Sequence, residues 1–393
     1  MSSPVVIIGS GFAAYQLVKS IRRASQEQAI IVITAGSGDD YVKPELSHVF
    51  SKKLTAQDMV KQSGADFASE HNITLMTNTH IDEINRIEKT VSCQGIEIAY
   101  DNLVLATGAQ SFVPFVDGDA AKDIITLNSL DEYQQSQDQL VNAKSVLVVG
   151  AGLVGSEIAM DLASANYDVI LTDRADALLP SLLPEFISSQ LYQTMRRQGV
   201  DLQLGNELSK MTKTATGIEV SFNNGYTTHV DSVLCAAGLK PNIALASGVG
   251  LAVNRGIVVD KQLRTQDPHI FAIGDCAEID GKHLAFLQPI ILSANALAKT
   301  LTNTATDVTF PAMLVKVKTP LYPIQLSGNT TASDANWQVE MTESGMTAKA
   351  YNSDAQLIGF VVTQANMPEA FKLLRLLPNV STVPAVSKVL KVA

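Results

Sequence analysis

Two sets of glycines carry the spacing that most directly implies chemistry. The first is Gly9-x-Gly11-x-x-Ala14, within "VVIIGSGFAAY". Gly9 permits a tight turn, Gly11 lets backbone approach a ligand closely, and Ala14 is small enough for a helix to lie against a strand. A helix starting at such a turn presents unpaired N–H groups and a partial positive charge, which suits a pyrophosphate. The second set, Gly150-x-Gly152-x-x-Gly155 in "VLVVGAGLVGSE", is the complete dinucleotide fingerprint. About twenty residues on, where a ribose-binding acid belongs, Asp173 ends the next apolar run. Its carboxylate favours NAD over NADP. Arg174 stands beside it, and the extra phosphate of NADP wants an arginine; Asp176 is a second acidic candidate. The first turn has no such acid. Thr34-Ala35-Gly36 occupies that place, and Asp39 and Asp40 come late. Either a loop aspartate or backbone groups must then meet the ribose.

These turns require strands before them and helices after them. Val5 to Ile8 is a continuous apolar run, as a strand covered on both faces should be. Ala14, Leu17, Val18 and Ile21 follow at helical spacing, and residues 30–34 form the next strand. From Asp58 to Ile98 the pattern reads as helix and then short strands. Tyr100 to Ala109, "YDNLVLATGA", is another buried strand that ends in a small-residue turn. A second unit starts near Ser145. Its helix carries Val154, Ile158, Leu162 and Ala165, its next strand is "DVILTD", and "DSVLCAAGLKPN" echoes "DNLVLATGA". A third region contains "HIFAIGDCAE", a strand running into Gly-Asp, and a small-residue helix from about Pro289 to Leu301. Pro311, Pro320 and Pro323 mark a boundary near residue 320. Beyond it "WQVEM", "MTAKAY" and "LIGFVV" read as strands of a small sheet, with a helix over residues 369–376. The fold class expected is α/β, with two Rossmann-like dinucleotide-binding domains and a small α/β C-terminal domain.

Composition narrows the function. A chain of 393 residues with 46% hydrophobic and 17% charged residues can bury a large core. A formal net charge of −10 argues against broad nucleic-acid binding. No apolar run approaches the ~18 residues of a membrane span, and no signal or transit peptide is visible. The three cysteines, Cys93, Cys235 and Cys276, form no CxxC pair, so neither a disulfide framework nor a metal site is expected and a reducing cytoplasm fits best. Two different turns imply two different dinucleotides. A flavin with a nicotinamide is the productive pairing, because a hydride can pass between them.

Taken together, "GSGFAA", "LVLATGA", "GAGLVGSE", "LCAAGLKPN" and "IFAIGDCAE" resemble the FAD- and NAD(P)H-dependent reductases of the glutathione-reductase structural class. More narrowly, "YVKPELS", "GLAVNRGIVVD", "GDCAE" and "VKTP" are similar to the bacterial rubredoxin–NAD(+) reductases over nearly the whole chain. That resemblance implies an FAD domain split into 1–108 and 240–320, an NAD domain at 109–239 and a C-terminal domain at 321–393. It implies that Gly9, Ser10, Gly11, Phe12 and Ala13 bind the FAD pyrophosphate. Thr34 and Ala35 would lie by the ribose and Ile81 by the adenine. Asp275 would meet the ribityl or phosphate region at a helix N-terminus, and Leu287 and Lys318 would lie near the isoalloxazine. Lys43 and Glu157 would form a pair beside the flavin ring, the cation stabilising reduced flavin and the carboxylate holding the cation. The alternatives for those two are a surface lysine and a glutamate placed by a helix dipole.

The implied partners are NADH and rubredoxin, an acidic iron–sulfur carrier, in service of alkane hydroxylation. Without a paired thiol, electrons must leave the flavin directly. A ferredoxin is the other carrier, and a redox-sensing flavoprotein the reading from a different class. Lys43, Lys316 and Lys318 are the candidates for a local basic docking rim. Nothing in the sequence bears on oligomeric state.

Overall fold

The apolar run Val5–Ile8 is the central strand of a five-stranded parallel sheet. Across the sheet the order is Ile270–Ala272, Asn102–Leu105, Val5–Ile8, Ile30–Ile33 and Thr74–Met76. A computed structural model describes residues 3–378; residues 379–393, the end of the expected C-terminal domain, lie outside the described residues. The chain divides into two compact units. The first comprises Met1–Lys43, Gln57–Gln110 and Leu239–Phe310; the second comprises Pro44–Ala56, Ser111–Gly238 and Pro311–Ala393.

In the first unit, helix Phe12–Ala24 follows the glycine turn and buries Ala14, Leu17, Val18 and Ile21, the residues spaced for one face. Its end is fastened by Arg22, whose guanidinium donates to the carbonyls of Gln28 (2.7 Å) and Asn72 (2.8 Å). Helix Leu287–Leu301 packs along it, with the Ser20 hydroxyl 2.8 Å from the Asn295 side-chain oxygen. The helix begins two residues earlier than its small-residue run suggested.

The second unit repeats this design. Its parallel sheet runs Ile125–Thr126, Ser232–Cys235, Ser145–Val149, Asp168–Asp173 and Asp201–Leu204, with the glycine-turn strand again central. Helix Leu153–Ser164 buries Ile158 and Leu162, whereas Val154, in its first turn, is half-exposed. The repeat extends further than the motifs. Each unit inserts a three-stranded antiparallel meander after the third parallel strand counted from its glycine turn. In the first unit it is Glu83–Asn85, Thr90–Cys93 and Ile96–Ala99. In the second it is Leu208–Thr214, Gly217–Phe222 and Thr227–Val230.

The second unit also holds a five-stranded antiparallel sheet in the order Val315–Val317, Ile324–Gly328, Leu357–Thr363, Gly345–Tyr351 and Asn336–Thr342. All three strands read from the late sequence are there. Residues around Pro320 form the turn between the first two paired strands. Leu357, Phe360 and Val362 make a small core with Ala370, Leu373 and Leu377. The helix expected at residues 369–376 runs Ala370–Leu374, after a 3-10 turn, Gln364–Glu369, that contains Pro368. Among the described residues no helix is long and apolar enough to cross a membrane.

Candidate functional site: two glycine cradles and a buried pair of carboxylates

The two glycine turns share one local design. Gly9 and Gly150 both have φ +111°, where side chains are strained. A β-carbon on Gly9 would stand 2.3 Å from the carbonyl oxygen of Ala106, and one on Gly150 would stand 2.5 Å from that of Ala236. Each glycine therefore lets the turn lie directly on the neighbouring parallel strand. Gly11 and Gly152 cap the two helices with extended backbone and no side-chain hydrogen bond. A β-carbon on either would meet nothing within 4 Å. The first N–H groups of both helices thus have no side-chain cap, a condition that a dinucleotide pyrophosphate would meet. Gly155 separates the two cradles. Its β-carbon would fall 1.8 Å from the Gly150 oxygen, whereas the first helix carries the fully buried Ala14 at this place.

Around the first cradle the place where the sequence lacks the expected acid holds hydroxyls. The Thr34 and Ser10 hydroxyls are 2.8 Å apart, and the Gly36 amide donates to the Thr34 oxygen at 3.3 Å. The two loop aspartates are committed elsewhere. Asp39 accepts from the Gly64 amide (3.0 Å) and the Ser37 hydroxyl (3.0 Å), and Asp40 pairs with Lys19 at 3.2 Å. The Tyr15 hydroxyl, its pKa raised by burial and then by Asp40 and Asp39, donates to the Gly38 carbonyl and closes the loop. Ala35 follows Thr34 in this loop, and Ile81 packs partly buried against the core of the unit.

Asp275 reaches this cradle through a glycine. Gly274, at φ +82°, lies so close to Phe12–Ala24 that its β-carbon would come within 2.7 Å of the Ala13 methyl. Asp275 sits in the 3-10 turn Gly274–Cys276, which continues into the strand Ala277–Ile279, so the helix N-terminus beside it belongs to Phe12–Ala24. His283, which the sequence reading missed, donates to the Asp275 carbonyl at 2.7 Å. Leu287 opens its helix half-exposed. Lys43 opens the 3-10 turn Lys43–His48 at the end of the unit's first segment.

In the second cradle Asp173 clasps the glycine turn. One carboxylate oxygen accepts from the Ala151 amide at 2.6 Å, the other from the Ala175 amide at 2.8 Å. The ribose-binding candidate is thereby locked at the mouth of the turn, with further lone pairs on both oxygens for a ligand.

One turn along the same helix, Glu157 and Asp161 are both buried, at 4% and 1% exposure. Glu157 accepts from the Ser47 hydroxyl at 2.9 Å and the Lys318 amide at 2.7 Å. The Lys318 ammonium donates to the Pro44 carbonyl at 3.2 Å, so this lysine is fixed at both ends. Asp161 accepts from the amides of Phe50 (2.9 Å) and Ser51 (3.1 Å) and from the Ser51 hydroxyl. The His48 ring lies between the two acids, 3.9 Å from Glu157 and 3.8 Å from Asp161. Burial pushes the Asp161 carboxyl up, but His48, Ser51 and the Phe50 amide hold it below the usual aspartate range. Ser47, His48 and Asp161 were not singled out from sequence. The available signal was two acids four residues apart in an apolar, small-residue helix.

The three cysteines are buried and free, and burial raises all three thiol pKa values. Cys276 donates to the Leu105 and Ile273 carbonyls at 3.3 Å, as a packing residue does.

Residues 3–299 match the family model described as "Pyridine nucleotide-disulphide oxidoreductase". The chain belongs to this family. As a member it is an oxidoreductase of the NAD(+) reductase type that uses FAD and NAD, and the two cradles fit two dinucleotides. Residues 307–377 match a second model, "Rubredoxin binding C-terminal domain". Among curated relatives, the nitric oxide reductase FlRd-NAD(+) reductase of Aliivibrio fischeri is 49% identical over 375 residues, 95% of this chain and 98% of that protein. The protein of the same name from Aeromonas salmonicida is 49% identical over 383 residues, 96% of this chain and 97% of that protein. Among solved structures, the ferredoxin reductase for the CYP199A2 system of Rhodopseudomonas palustris is similar, with a TM-score of 0.84, 26% identity and coverage of 92% of this chain and 91% of that one. The putidaredoxin reductase of a covalent complex with putidaredoxin shares the fold, with a TM-score of 0.85, 24% identity and coverage of 95% and 92%.

Proposed function

We propose that the protein takes electrons from NADH and delivers them to a rubredoxin-type iron centre, that of a flavorubredoxin. The match of residues 307–377 to a rubredoxin-binding domain carries this reading. The names of the relatives, which couple NAD(+) reductase activity to FlRd and nitric oxide reduction, support it further. They give no support to alkane hydroxylation, the destination expected from sequence. Bound FAD supplies the exchange between two-electron and one-electron chemistry.

In this reading the segments 1–108 and 240–320 form the FAD domain, 109–239 the NAD domain and 321–393 the acceptor domain. Gly9, Ser10, Gly11, Phe12 and Ala13 hold the FAD pyrophosphate, while Thr34, Ala35, Ile81, Asp275 and Leu287 serve the rest of that cofactor. Gly150, Gly152 and Gly155 take the NADH pyrophosphate, and Asp173 takes its adenosine ribose. Lys43, Glu157 and Lys318 are assigned to the flavin ring on the resemblance. The side chains bind and orient, and no residue is required to move a proton.

The test is NADH oxidation by the FAD-loaded protein with a rubredoxin-type domain, a two-iron ferredoxin and oxygen in parallel. Turnover at least tenfold faster with the rubredoxin-type domain is the expected result. Equal or faster turnover with ferredoxin would replace the acceptor and leave the NADH-dependent flavin chemistry standing.

A further inference from the structure

Arg174 directly follows Asp173, at the end of the strand that carries the proposed ribose contact. Its guanidinium is engaged: Nε lies 3.4 Å from a carboxylate oxygen of Glu207, with both side chains about half-exposed. The other Glu207 oxygen accepts from the Asn223 amide group at 3.2 Å. The backbone fixes the same arrangement. The Gly205 amide donates to the Ala175 carbonyl at 2.8 Å and the Asn206 amide to the Asp173 carbonyl at 2.9 Å, which fastens the Glu207 segment alongside residues 173–175. The Asn223 amide donates to the Glu207 carbonyl at 3.0 Å. Glu207 is therefore held beside Arg174 from two sides.

An arginine next to the ribose-binding acid is the group that would receive the 2′-phosphate of NADPH, by the paired geometry guanidinium offers to phosphate. We propose that Glu207 is a specificity-determining residue. By holding Arg174 it withholds the guanidinium from a 2′-phosphate and keeps the site selective for NADH. The proposal rests on the reading that the Gly150 cradle binds the nicotinamide dinucleotide. An exposed ion pair is weak, so the discrimination drawn from it is modest and should be removable by a single change of charge.

Glu207→Gln keeps the partner of Asn223 and loses the charge. Binding of 2′,5′-ADP and of 5′-ADP to the FAD-loaded full chain is measured by calorimetry, alongside kcat/KM for NADPH and NADH. The affinity ratio of 2′,5′-ADP to 5′-ADP is expected to rise about two- to fivefold, and the NADPH to NADH ratio of kcat/KM with it. In an Arg174→Gln background the same substitution is expected to give no gain. A flat ratio in the single variant, or a full gain without Arg174, overturns the role of Glu207. Asp173→Ala separates the two levels. If it leaves 5′-ADP binding unaltered, the reading of the cradle falls and the role of Glu207 with it. If it weakens 5′-ADP binding while Glu207→Gln changes nothing, only the role of Glu207 falls.

Discussion

Gly9 and Gly150 have the same backbone φ in two turns to which the proposed function gives different cofactors, which makes them a matched pair for experiment. Each combines φ +111° with a carbonyl oxygen where a β-carbon would go. Alanine at either costs about 1–3 kcal/mol in backbone strain alone, and relief of the clash must push the turn away from its neighbouring strand. Gly9→Ala is expected to purify with most of its FAD missing, and Gly150→Ala to keep FAD but bind NADH at least tenfold more weakly. Visible absorbance and NADH titration separate the two; loss of FAD from both would contradict the assignment of one cofactor to each cradle. These glycines were legible in the sequence because their spacing falls within six residues, although the carbonyl oxygens that exclude a side chain come from the distant Ala106 and Ala236. Thr34 was singled out through the family resemblance alone, because the contact of its hydroxyl with Ser10 spans 24 positions and leaves no local pattern.

The short helix Val49–Lys52 shows why small elements escape a sequence reading. It is four residues long, too short to persist through its own hydrogen bonds. Asp161 caps it from more than a hundred residues away by accepting the Phe50 and Ser51 amides. Removing that charge leaves buried donors poorly met, and Asp161→Asn is expected to cost on the order of 1–3 kcal/mol. Because the folded-state pKa is depressed, the stabilisation is fully present above the ordinary aspartate value near ~3.9. It is lost as pH falls through the folded-state value. Denaturant melts of wild type and variant should therefore differ at pH 7 and converge in strong acid. A constant gap across that range would mean that the carboxylate charge is not what the cap uses. Long periodic elements such as Phe12–Ala24 were read correctly because their buried face is written in one stretch. The two antiparallel meanders were not recognised as a shared feature, since their short strands mix exposed and buried residues without a common motif.

For the molecule as a whole, a net charge of −10 sets the terms on which an acidic carrier can dock. Screening limits that repulsion to about 10 Å at 0.1 M salt, so a few exposed lysines can decide the encounter. Lys316 points outward from the strand Val315–Val317, within the segment that matches the rubredoxin-binding model. Lys316→Glu is expected to raise KM for the rubredoxin-type acceptor severalfold while ferricyanide reduction is unchanged; equal effects on both acceptors would rule out a docking role. The interleaving of the two units has a different consequence, which concerns synthesis. The first unit draws its edge strand Ile270–Ala272 and its covering helix Leu287–Leu301 from the third of its three segments. A ribosome must have made some three-quarters of the chain before that sheet can close. Until then the strand Asn102–Leu105 waits with one edge bare, a state that invites mispairing. Cutting the gene at the first visible motif boundary would therefore produce an aggregating fragment, and the protein should depend on chaperones through most of its translation.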